Sequence, residues 1–221
     1  VGFFYNFGLW LDKFMFWFYE PTSQAIIGPL RASLIYDIPV FLAYLSIIPG
    51  MAVFLVKMET DFVEFYDNFY NAVREGGSLE YIEEMRNEMV FTVRQGIYQI
   101  IKIQGIAALT VFVAGEIILN TLHISLLYLP LLFVNLISVG LQVVFLGVLN
   151  VFFYLDKRRI VFILTGLFVV LNGVFTGLTL HLGPKFYGYG LAGALLICIM
   201  LGFRYLDKVF DELEYNTFML Q

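Results

Sequence analysis

The chain has 221 residues, of which 60% are hydrophobic, 18% aromatic and 14% charged, with a mean hydropathy of +0.83 and a formal net charge of −5. So apolar a composition excludes a water-soluble domain, where charged residues alone make up about a quarter. No nucleic-acid partner is implied, and a single cysteine, Cys198, excludes an internal disulfide.

Six apolar stretches follow one another along the chain, at residues 2–19, 35–56, 97–121, 126–155, 160–182 and 186–206. Each is close to or longer than the roughly 20 residues that cross a hydrocarbon core. None alternates with a two-residue period, so the spans read as helices rather than barrel strands. The fold class expected is an all-α, polytopic membrane protein. Its organisation is two spans over 1–57, a soluble segment over 58–95, four spans over 96–208 and a tail over 209–221. Val1 is not an initiator and no cleavage site follows it, so the chain is expected to be a fragment rather than to open on a signal peptide.

The first span, rich in Phe, Trp and Tyr, carries Asp12 and Lys13 near its middle. Adjacent residues on a helix point about 100° apart, so at least one must face the bundle interior or a wet cavity. A helix-locking ion pair and a contact in a transport path are both consistent with this. The second span holds Pro39 and then Pro49 and Gly50, which predict a kink near Ile47, either a hinge or a static bend.

The soluble segment reads as two amphipathic helices. Phe62, Phe65, Tyr66, Phe69, Tyr70 and Val73 recur at helical spacing, with Glu59, Asp61, Glu64 and Asp67 around them. Gly76 and Gly77 break the first helix. Ser78 is an N-cap for the second, with Glu80, Glu83 and Glu84 in its first turns and Leu79, Ile82, Met85, Met89 and Val93 as its apolar stripe, running on into the third span. Nine acids against three arginines would repel anionic lipid. The acids are therefore either a docking surface for a cytoplasmic protein or simply the solvated face of a hairpin packed on its own helices.

Asn135, Gln142 and Asn150 in the fourth span, and Asn172, Thr176 and Thr179 in the fifth, recur along helix faces and serve either as interhelical bonds or as the lining of a path. Glu116, His123 and His181 lie at outer helix ends, and no metal site or cofactor is implied. Ten of the thirteen basic residues fall on one side, so both ends and the acidic segment are predicted to face the cytoplasm. The 14 tyrosines, 24 phenylalanines and 2 tryptophans would suit a cavity for sugars, whose C–H faces stack on rings. No paired-acid or histidine–acid motif of a membrane enzyme is present, so no enzymatic activity is expected.

The run GPLRASLIYDIPVFLAYLSIIPGMAVFLVKMETDFVEFYDNFYNAVREGG at 28–77, with DKFMFW at 12–17, LNVFFYLDKRR at 149–159, GPKFYGYG at 183–190 and LEYNTFM at 213–219, resembles the PelG family of exopolysaccharide transporters. The resemblance implies the second of two six-helix lobes around a central cavity, as in the multidrug, oligosaccharidyl-lipid and polysaccharide exporters. It further implies export of an amino-sugar polymer, with a cytoplasmic glycosyltransferase and membrane subunits of the Pel synthase complex, one a cyclic di-GMP receptor, as partners. Some related flippases hold sodium between an acid and polar residues at positions matching Asp12, Asn172 and Thr176. Here Lys13 adjoins Asp12 and offers an alternative to the ion. A non-conducting scaffold and an ion-coupled lipid-linked oligosaccharide flippase are the other functions this resemblance admits.

Overall fold

A computed structural model describes residues 2–213 of the chain. Helix α1 spans Gly2–Phe18 and packs along α7. A short antiparallel hairpin, β1 Gln24–Ile27 and β2 Leu30–Ala32, turns the chain through Gly28 (φ 55°) into α2, Leu34–Leu45. The sequence reading did not anticipate this hairpin, because its residues lie between two apolar runs and are themselves partly apolar. Helix α3, Ile47–Val56, follows at a 44° bend and continues through a π turn, Lys57–Asp61, into α4, Phe62–Arg74.

Helix α5, Leu79–Thr121, is one unbroken element of 43 residues. At 1.5 Å per residue it is about 65 Å long, roughly twice the hydrocarbon thickness, so its first half must project beyond the bilayer. Ser78 caps it as predicted, accepting the Tyr81 N–H at 3.3 Å. The projecting half pairs with α4, and most of both apolar stripes is buried there: Phe62, Phe69, Met89 and Val93 are fully buried, with Met58 of the π turn beside them, while Leu79 at the start of α5 stays exposed. The glycine break is where it was expected, with Gly76 in the left-handed region at φ 70°.

The remaining helices are α6, Leu129–Tyr154, α7, Arg158–Leu182, and α8, Tyr189–Asp211. Helix α6 is the hub: it touches α2, α3, α5, α7 and α8, and most of its length is buried. Successive neighbours in the bundle run α1, α7, α8, α6, α5 and α3. Close approach at α7 and α8 depends on Gly190, where a Cβ would strike the Thr176 backbone.

Length and composition give four helices able to span, α5 to α8, or five if the bent pair of α2 with α3 and α4 counts as one. Four or five of the six predicted spans are thus supported by length and composition among the described residues, and α1, with 17 described residues and about 25 Å, lies at the lower end of the roughly 17–25 residues a span takes. Helix α8 continues to Asp211, into the first residues of the expected tail, and most of LEYNTFM lies outside the described residues.

Candidate functional site

Both charges of α1 turn inward. Asp12 is completely buried and Lys13 nearly so, held by three elements. On α2, Tyr36 donates its hydroxyl to Asp12 Oδ2 at 2.5 Å, its ring stacked on Phe16 at 3.8 Å. The Lys13 ammonium folds back one turn to donate to the Leu9 carbonyl at 2.7 Å, so it reaches both Asp12 oxygens only at 3.4 Å. It also lies 5.6 Å from the centre of the Tyr44 ring, whose hydroxyl donates to Gln142 Oε1 on α6 at 2.6 Å. A carboxylate buried this deeply needs its partners, because an uncompensated charge in the membrane interior is costly.

Asn172 and Thr176 form a second, separate network. Asn172 Nδ2 donates to the Gly8 carbonyl at 2.8 Å, and Thr176 Oγ1 donates to Asn172 Oδ1 at 2.9 Å, which ties α7 to the α1 backbone one turn before Asp12. The set expected around Asp12 is thus divided: its carboxylate is taken by Tyr36 and Lys13, and the amide of Asn172 by backbone and Thr176. Thr179 bonds only within α7, to the Thr176 carbonyl.

The three polar residues of α6 lie along roughly one face of the helix but do not meet one another. Successive members are seven or eight residues apart, about 11 Å along the axis, and each meets different neighbours. Asn135 is buried beside Gly188 with its Nδ2 unpartnered. Gln142 belongs to the Tyr44 contact. Asn150 donates to Glu59 Oε1 at 2.5 Å, and Tyr154 donates to the same carboxylate at 3.0 Å. Glu59 is exposed and engaged by α6 through these two bonds. Asp61 is likewise paired, with Lys57 at 2.6 Å, whereas Glu64, Asp67, Glu80, Glu83 and Glu84 are exposed. Within this hairpin, burial pushes the Tyr66 and Tyr70 hydroxyls up from their ordinary pKa, with the nearby Asp156 adding to both.

The predicted kink falls at Ser46, between α2 and α3. Pro49 has no N–H for the carbonyl four residues back, and the Ser46 carbonyl next to it accepts instead from Gln104 Nε2 of α5 at 3.1 Å. Gly50 is buried, while Pro49 is exposed; a Cβ at Gly50 would collide with the Gln104 amide. Gln104 escaped the sequence reading, although an amide in the middle of the apolar run of the third span was a usable signal.

Asp37 escaped it too. It sits in the first turn of α2, where it accepts the Trp17 indole N–H at 3.0 Å and the Ser33 N–H at 3.1 Å. Between α1 and α2, which touch little, a cleft of about 380 Å³ opens, lined by Trp10, Lys13, Trp17, Asp37, Phe41 and Tyr44 among others. The buried pair thus has its lysine at the edge of an aromatic opening.

A bundle of apolar helices with an ion pair inside it and a largely apolar, aromatic cleft beside that pair defines a multi-pass membrane protein. The family model for PelG, described as "Putative exopolysaccharide Exporter (EPS-E)", matches residues 1–218. The chain belongs to the PelG family. No curated protein and no solved structure matches it. The family's described role is polysaccharide export, that of a transporter rather than an enzyme.

Proposed function

We propose that this chain forms one lobe of a two-lobe transporter that carries an amino-sugar exopolysaccharide of the Pel type across the bacterial inner membrane, within a synthase complex containing a cytoplasmic glycosyltransferase and other membrane subunits. Membership of an exporter family over residues 1–218 is the observation that carries this reading. In it, α1 crosses the bilayer as a short span beside α7, and the bent α2–α3 pair is a single span, which restores six crossings. The helical hairpin faces the cytoplasm, where most basic residues gather.

Asp12, Lys13 and Gln142 then stand at the centre of the path, with Asn135 and Asn150 towards its two ends. Asn172 and Thr176 position α1. Pro49 and Gly50 mark the hinge. The exposed acids Glu64, Asp67, Glu80, Glu83 and Glu84 are the surface for synthase subunits.

The decisive experiment replaces the buried pair with neutral residues of similar shape, Asp12→Asn with Lys13→Met, in cells that make the polymer. Loss of secreted polysaccharide while the synthase subunits still co-purify with this protein supports a conduit. Export at the original level, or loss of the assembly itself, would overturn it in favour of a scaffold.

A further inference from the structure

The α1–α2 cleft has a composition that packing alone does not call for. The chain's two tryptophans, Trp10 and Trp17, both open onto it, seven residues apart and so on one face of α1. Their rings meet at 65° with centroids 6.3 Å apart, forming a corner instead of a closed stack. Trp10 is 49% exposed, and on α2 Phe41 is 64% exposed. Polar groups lie among these rings. Asp37 uses its carboxylate to hold the Trp17 indole and the Ser33 N–H, which leaves lone pairs free for hydroxyl donors. Lys13 has three N–H donors, one committed to Leu9 and the rest only loosely to Asp12.

We propose that this cleft is a saccharide subsite, in which a sugar unit lays its C–H face against Trp10 and Trp17 and bonds its hydroxyls to Asp37 and Lys13. The inference rests on the export reading and adds residues that reading does not use. A volume of about 380 Å³ lies within the roughly 300–1,000 Å³ of small-molecule sites. The rival occupant is a lipid acyl chain. It would match the rings but leave a carboxylate and an ammonium against hydrocarbon, a cost that a hydroxyl-rich ring with apolar faces avoids.

Tryptophan fluorescence reads the cleft directly, since Trp10 and Trp17 are the only indoles in this chain. The chain is reconstituted in nanodiscs and titrated with an N-acetylhexosamine tetrasaccharide. A saturable change is expected, weakened about tenfold or more in Trp10→Ala, where Trp17 remains as reporter, and in Asp37→Asn. Trp10 is half exposed, so its truncation leaves the fold intact. A titration equally tight in both variants places the sugar elsewhere and overturns the subsite. Quenching by brominated acyl chains that the sugar does not relieve assigns the cleft to lipid and also overturns it. No fluorescence change at all, in a protein whose export still depends on Asp12 and Lys13, overturns the subsite and leaves the export reading standing.

Discussion

Asp12 and Lys13 are neighbours in sequence, yet their ion pair is long, because a helix sends adjacent side chains about 100° apart and the lysine must bend back towards Leu9 to approach its partner. The shorter bond to the carboxylate comes from Tyr36. Loss of one charge leaves the other buried alone, so Asp12→Asn and Lys13→Met should each destabilise the protein by about 3–5 kcal/mol, read as a lowered melting temperature in detergent. The double variant should recover most of that loss, the non-additivity expected of a coupled pair. Tyr36→Phe should cost about 1–3 kcal/mol by stranding one carboxylate oxygen. The two charges were legible in the sequence because ionised groups are rare in apolar runs. Tyr36 was not, since tyrosine is abundant here and only the fold brings residue 36 to residue 12.

At the scale of an element, the bend of α2 on α3 combines a feature the sequence displays with one it conceals. Pro49 and Gly50 announce a disrupted helix. The break itself falls at Ser46, and what holds it is an amide from another helix, Gln104, reaching a carbonyl across the space that Gly50 leaves open. Gly50→Val should push Gln104 off the Ser46 carbonyl, destabilising by about 1–3 kcal/mol. Combining it with Gln104→Ala should restore the packing but not the hydrogen bond, so thermal stability recovers only in part. The hairpin was legible for the opposite reason: caps, glycine break and apolar stripes of α4 and α5 are all local signals, and local signals survive folding. The π turn at Lys57–Asp61 left no such trace, because its residues are ordinary helix formers and the extra backbone residue is accommodated by burying Met58 against Gly96.

For the whole molecule, packing converts a linear series of apolar runs into a bundle with α6 as its hub, and it brings the hairpin, the α6–α7 turn and the end of α8 to one end of that bundle. The Phe62–Tyr154 ring contact and the Arg94–Asp207 bridge mark that convergence. The one cysteine is buried, so a Cys198→Ser background permits a clean orientation test. Glu83→Cys in that background should react with a membrane-impermeant maleimide only after the inner membrane is opened. The same end carries the acids whose role decides between solvation and docking. Most of the apolar stripes of α4 and α5 is already spent on each other, with Leu79 left exposed at one end, so a partner that docks on the acids is held chiefly by charge, and charge-held association weakens with salt as the Debye length falls from about 10 Å at 0.1 M to 3 Å at 1 M. Replacing Glu64, Asp67, Glu80, Glu83 and Glu84 together by their amides touches exposed sites alone and should leave the melting temperature nearly unchanged. If the proposed synthase complex docks here, co-purification of its other subunits falls to the level seen for the unaltered protein at high salt. Retention of those subunits at low and high salt alike would mean that the acids serve only to keep the hairpin in water.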